Sequence, residues 1–232
     1  MSTALVLALV ASALIAAVNP CTMGVFVMSI SSLLGAGKHP RHAGVHSFFF
    51  AVGVALWAFF AAALSLLILT WLPVGVVGYI GLVVAVVLVV SGLIEIKDYF
   101  WYGRGLSFKL GARAETSIHK WTKQHHSHVR GLLLGIYSSI VSSHYTFGLI
   151  AASMVIVRLS GHVSYGYPVL WAVVYGLPLL SFSQLVLYGV SVVSISSWRE
   201  QSKASMRLAI GLLFVLIGWV LILSSVSGVS FL

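Results

Sequence analysis

Residues 4–34 read ALVLALVASALIAAVNPCTMGVFVMSISSLL, an apolar run interrupted once, at Asn19-Pro20-Cys21-Thr22. A proline inside a helix removes one backbone hydrogen bond and clashes with the carbonyl four residues earlier, so the helix kinks or breaks there. In lipid, backbone freed in this way is tolerated only where protein or a watery cavity satisfies it. The run therefore reads as a membrane span broken at Asn19-Pro20, with the break facing the protein interior. It also holds the only cysteine of the chain. If Pro20 opens a new half-helix, the position suits proline and places Cys21 in the first turn. Unpaired amides there favour a thiolate. The competing structural role is that of a small buried hydrophobe.

A secretory signal peptide is the other reading of this stretch. It calls for a basic start and a small-residue cleavage site. Met1-Ser2-Thr3 carries no Lys or Arg, and apolar character resumes after Cys21 as far as Leu34. The segment is therefore expected to remain as a span.

Working outward, 60% hydrophobic and 7% charged residues with a mean hydropathy of +1.08 exclude an ordinary soluble domain, in which about a quarter of residues are charged. Spans of roughly twenty apolar residues can be cut at 4–34, 45–70, 74–95, 131–157, 166–193 and 208–228. The expected fold is all-α: a polytopic membrane protein of six transmembrane helices, with residues 1–232 forming one domain. The partner implied is the lipid bilayer, not nucleic acid.

The net charge of +9 reports topology. The first joining loop holds Lys38 and Arg41, and the third holds Lys97, Arg104, Lys109, Arg113, Lys120, Lys123 and Arg130. The fifth holds Arg199, Lys203 and Arg207, whereas the even loops hold only Arg158. Cytoplasmic loops accumulate Lys and Arg, so the odd loops are expected inside, with both termini outside the cytoplasm of a multi-pass cell-membrane protein. Three spans, a long basic cytoplasmic loop and three more spans give halves of opposite orientation, about 1–95 and 130–232. That layout is the inverted repeat of many transport-type proteins, whose sites lie at discontinuous helices near the midplane. Tyr175-Gly176-Leu177-Pro178 suggests a second discontinuity, in the fifth span, although taken alone the stretch reads better as a packing kink.

His144, within Ser142-Ser143-His144-Tyr145-Thr146, is the other intramembrane candidate. Ionisable groups inside spans commonly mark a pathway, although histidine also bonds neighbouring helices. Inverted repeats would bring His144, Tyr145 and Thr146 near Asn19, Pro20, Cys21 and Thr22. His39, His42 and His46, and the cluster His125, His126 and His128, lack carboxylate or thiol neighbours and read as solvated loop residues; no metal and no cofactor are expected. The segment from Gly92 to Gly105, with Lys97-Asp98-Tyr99-Phe100-Trp101-Tyr102, carries interfacial aromatics and reads as lying along the cytoplasmic surface.

Asn19-Pro20-Cys21, the Gly92 to Gly105 loop and Tyr175-Gly176-Leu177-Pro178 together resemble the membrane domain of the cytochrome c biogenesis and thiol:disulfide interchange family, CcdA and the central part of DsbD. The resemblance covers nearly the whole chain. It implies electron transfer across the membrane by thiol–disulfide exchange, from cytoplasmic thioredoxin to thioredoxin-like proteins outside, without a cofactor. That reaction uses two cysteines, one opening each half. Here the family's second Pro-Cys-Thr corresponds to His144-Tyr145-Thr146, so the partner cysteine is absent and Cys21 is the candidate redox thiol of a single-cysteine member. Two other readings stand beside it. One is a transporter of a small solute or metal ion, similar in design to LysE-type exporters, with Asn19, His144 and the serines lining the path. The other is a non-catalytic assembly partner. Oligomeric state is not legible.

Overall fold

The computed structural model describes residues 3–17, 19–37, 39–101, 116–118, 127–188 and 192–227. Among these, eight helices account for the architecture: α1 Thr3–Ala17, α2 Pro20–Gly35, α3 Pro40–Trp71, α4 Val74–Phe100, α5 His128–Val141, α6 Ser143–Leu159, α7 Gly166–Leu187 and α8 Val192–Ser227. Four stretches are long and apolar enough to cross a membrane: Arg41–Trp71, Val74–Phe100, Gly166–Leu187 and Ala204–Leu223. Two bent pairs, α1 with α2 at 53° and α5 with α6 at 77°, raise the number to six if each pair counts as one span.

Burial is inverted relative to a water-soluble protein. In α4 the interior stripe is Val77, Gly81, Ala85, Leu88, Gly92, Glu95 and Asp98. The outward positions Val83, Val86, Val87, Val90 and Leu93 are apolar and exposed. Asn19, Glu95, Asp98, Ser139 and Arg207 are all buried, while Phe60, Trp71 and Tyr79 face outward. An apolar exterior around a partly polar interior is what a lipid solvent selects, since hydrocarbon offers polar atoms no partner.

The principal packing pairs set α3 against α7 and α4 against α8. α5 also packs on α3, and α1 on α7. Small residues permit these close approaches, as is usual where lipid gives no hydrophobic drive for helix association. A β-carbon placed on Gly92 would meet the Gly211 carbonyl oxygen at 2.6 Å, and one on Gly211 would meet the Gly92 carbonyl oxygen at 2.8 Å. The two backbones thus touch where α4 crosses α8. Gly135 abuts the Phe50 carbonyl in the same manner where α5 crosses α3.

Several boundaries differ from the sequence expectation. The fifth span is not interrupted at Pro178: α7 is continuous from Gly166 to Leu187 with the proline inside it. Proline removes one donor only, and the carbonyl it releases, that of Val174, lies on a packed part of the bundle where a single missing bond is tolerated. The break falls instead in the fourth span, at Ser142, where no proline stands. Residues 92–100 do not lie flat along the surface but complete the last turns of α4; Tyr102 to Gly105 lie outside the described residues. Pro40 starts α3, with His39 as its N-cap accepting from the Arg41 amide at 3.3 Å. His42 and His46 are therefore helical, and His46 is buried against Ser29 at 3.0 Å. Arg207 is not a loop residue but lies within the apolar stretch Ala204–Leu223 of α8, 4% exposed. Arg104, Lys109, Arg113, Lys120, Lys123, His125 and His126 fall outside the described residues.

Candidate functional site

The site is built from the two helix breaks. At the first, Asn19 has extended backbone and caps α2: its Oδ1 accepts from the Cys21 amide at 2.9 Å, and its carbonyl accepts from the Met23 amide at 3.1 Å. Asparagine at the N-cap followed by proline at N1 is a strong local start signal. Cys21 thereby occupies the first turn of a half-helix whose N-terminus lies inside the bundle, and it is 9% exposed.

At the second break, serines replace proline as the cause. The Ser138 hydroxyl bonds the Gly135 carbonyl at 3.0 Å, and the Ser142 hydroxyl bonds the Ser138 carbonyl at 2.7 Å. Side-chain hydroxyls that compete for backbone carbonyls bend helices and offer the chain an alternative to the regular ladder. Ser142 closes α5 and opens α6, its carbonyl accepting from the Tyr145 amide at 3.0 Å.

A hydrogen bond of 2.9 Å between Thr22 Oγ1 and Ser142 Oγ joins the two breaks directly. The Tyr145 side chain, 2% exposed, lies within electrostatic reach of both Cys21 and Glu95. Glu95 in turn faces Arg207 and Asp98: Arg207 Nη1 is 3.0 Å from Asp98 Oδ2 and 3.7 Å from Glu95 Oε2. Lys97 Nζ pairs with Asp98 Oδ1 at 2.8 Å, closer to the edge of the bundle. A chain of polar groups thus leads from Cys21 through Tyr145 and Glu95 to Arg207, Asp98 and Lys97.

A second polar column departs from the first break. The Tyr175 hydroxyl adjoins Asn19 and Thr22, though at no full hydrogen-bond geometry. Tyr175 stacks on Trp171 with ring centroids 5.2 Å apart. The Trp171 indole donates to Ser12 Oγ at 3.1 Å, and Ser12 bonds Ser153 Oγ at 2.8 Å. These contacts tie α1, α6 and α7 together.

The structure therefore brings Asn19, Cys21, Thr22 and Tyr145 together. Pro20 contributes by starting α2. His144 is half-buried beside Tyr145, ring centroids 4.5 Å apart, and within reach of the Arg207 charge. Thr146 is buried and turns its hydroxyl toward the Ser143 carbonyl of its own helix. Pro178 lies one turn beyond Tyr175 in continuous α7. Sequence reasoning placed Glu95 and Asp98 in an interfacial segment, with Asp98 able to pair locally with Lys97, and read Arg207 as a loop charge; it did not bring the three together. The signal was available: Glu95 and Asp98 are two of only four acidic residues, spaced i, i+3 on one helical face. Arg158, the single even-loop cation, bonds the Leu69 and Leu72 carbonyls at 3.2 and 3.4 Å, capping the end of α3 in accord with the helix dipole. Among the described residues no group of three or more His, Cys, Asp or Glu is placed to hold a metal ion. No protein-family model, characterised protein or solved structure matches the chain.

Proposed function

We propose that this chain is an integral membrane protein of the CcdA/DsbD-like thiol–disulfide exchange and cytochrome c biogenesis type, reduced to a single cysteine. The observation that carries the reading is the placement of Cys21 beside Tyr145, at helix breaks bonded to one another through Thr22 and Ser142. Tyr145 occupies the position that the resemblance assigns to the second thiol. Six spans as two inverted three-helix repeats, with both termini outside, form part of the proposal. In support, equivalent helices of the two halves pack on each other, α3 on α7 and α4 on α8, and each half opens with a broken pair. With Arg207 moved from a loop into a span, the Lys and Arg residues at the odd loops and the adjoining helix ends still far outnumber the single Arg158 on the even side.

On this reading the Cys21 thiolate attacks the disulfide of a thioredoxin-fold partner. One S–S bond forms, the partner's bond breaks, and the partner's second sulfur leaves as a thiolate. Resolution needs a thiol from another molecule. Cys21→Ser should abolish every covalent adduct trapped with thioredoxin-fold proteins, and Tyr145→Cys should permit an internal disulfide with Cys21. The wild-type protein by itself should fail to relay electrons between thioredoxins on opposite sides; robust relay would overturn the single-cysteine mechanism.

One observation favours transport of a small solute or ion as a second reading. Asn19 Nδ2, Tyr175 Oη and Ser139 Oγ are buried without hydrogen-bond partners among the described residues, and polar groups at discontinuous helices line many transport paths. In that case Cys21→Ser is mild and His144→Ala severe in a flux assay.

A further inference from the structure

Glu95 is the buried ionisable side chain for which the fold provides least. It is fully buried. Asp98 is neutralised from two sides, by Arg207 Nη1 at 3.0 Å and by Lys97 Nζ at 2.8 Å. Glu95 is left with the same Arg207 nitrogen at 3.7 Å. Neither of its carboxylate oxygens has a partner at full hydrogen-bond geometry among the described residues, although the Tyr145 hydroxyl adjoins them as a donor. The groups facing it are Asp98 and Lys97 from its own helix, Arg207 from α8 and Tyr145 from α6. Beyond Tyr145 lies Cys21 from α2, and His144 lies beside Arg207.

Both nearby cations pair first with Asp98, and Lys97 lies at the partly exposed edge of the bundle, so Glu95 keeps only the longer contact to a shared guanidinium. An ionised Glu95 would add a negative charge to a low-dielectric interior without the hydrogen bonds that make such burial affordable. A protonated carboxyl carries no such penalty, and its O–H would face the Tyr145 hydroxyl. Carboxyl groups held in this way inside membranes serve as proton-carrying sites.

We propose that Glu95 is a proton-binding site of the membrane domain, and that its exchangeable proton compensates the negative charge that appears when Cys21 ionises. The site then ionises one of the two groups at a time: a thiolate at Cys21 with a neutral Glu95, or a carboxylate at Glu95 with a neutral thiol. Tyr145 lies between the two. The step moves protons only; no electron is transferred, and the proton released by one group is taken up by the other or by water. The first half of the proposal is independent of the thiol-exchange reading, and the second half rests on it.

The test uses the full chain in lipid nanodiscs. Infrared difference spectra between alkaline and mildly acidic pH should contain the C=O band of a protonated, non-aqueous carboxylic acid. That band should be missing in Glu95→Gln and retained in Asp98→Asn. Its absence from wild type, or its survival in Glu95→Gln, overturns the site. Glu95→Gln leaves the Arg207–Asp98 pair in place, and elution as a wild-type-like monodisperse species confirms folding.

The link to Cys21 is read from the rate at which a small maleimide alkylates this single thiol. At alkaline pH Glu95→Gln should react about tenfold faster than wild type, one pH unit of coupling, and the two should converge at acidic pH. Equal rates throughout, or a pH-independent difference, overturn the charge compensation. An intact infrared band with no adduct trapped on thioredoxin-fold partners would instead refute the thiol-exchange reading and leave the proton site standing.

Discussion

Replacing Arg207 by methionine tests whether the interior charges hold the bundle together. The guanidinium is 4% exposed and sits 3.0 Å from Asp98 and 3.7 Å from Glu95. At an effective dielectric of about 20, single charges at the Arg207–Asp98 separation attract by about 5.5 kcal/mol; a protonated Glu95 adds no full charge. Most of that gross attraction is offset by the desolvation of the pair. The net worth of the cluster against an apolar replacement is therefore small, but removing one member strands the others. Arg207→Met should cost about 3–5 kcal/mol, the usual penalty for breaking a buried pair from one side. Arg207→Met combined with Asp98→Leu should return to within about 1 kcal/mol of wild type, because the one carboxyl left in the interior, Glu95, is then protonated and neutral. Reversible unfolding in mixed micelles, followed by tryptophan fluorescence, measures both. A single variant that loses less than about 1 kcal/mol, or a double variant as unstable as the single, would refute the reasoning.

The remaining expectations concern packing, the joined breaks and topology. A β-carbon on Gly211 would lie 2.8 Å from the Gly92 carbonyl oxygen and 2.9 Å from the Ile96 amide nitrogen, so Gly211→Val must part α4 from α8. It should lose about 1–3 kcal/mol in the same unfolding assay, and unchanged stability would show that this crossing is looser than described. A double-mutant cycle of Thr22→Val and Ser142→Ala should yield a coupling of about 0.6 kcal/mol, with a ceiling near 1.7; zero coupling would mean that the breaks are held together by other contacts. In a Cys21→Ser background, cysteines placed at Lys123 and at Leu232 should react with an impermeant maleimide from opposite sides of the membrane. Labelling of both from one side would sink the orientation.

Local chemistry made much of this protein legible in advance. Asn19-Pro20 announces a helix start inside an apolar run because the cap side chain, the missing proline donor and the preset backbone angle all act within a few residues. Long apolar runs likewise announce lipid-crossing helices, since hydrocarbon leaves the backbone no other way to satisfy itself. Ser142 and Pro178 show the limit. The fourth apolar run breaks at a serine and the fifth passes through a proline, because the outcome depends on whether a neighbouring helix supplies or withholds a partner. Thr22 supplies one to Ser142 across the bundle.

The same distinction separates Cys21 from the rest of its surroundings. Its placement in the first turn of α2 follows from residues adjacent in the chain, and so did the choice of Cys21 as a candidate. Tyr145 reaches it from α6, and Glu95 and Arg207 stand behind Tyr145 from α4 and α8. Arg207 read as a loop cation, since charge alone reports which side of a membrane a segment favours and not which group will pair with it. Sequence by itself determined that the chain is helical and apolar on its outside, and that its thiol opens a half-helix. Only the tertiary structure decided which charges are buried and which groups face the thiol, because those depend on contacts between residues distant in the chain, Asp98 with Arg207 and Cys21 with Tyr145, created by the packing of α4 on α8 and by the meeting of two helix breaks.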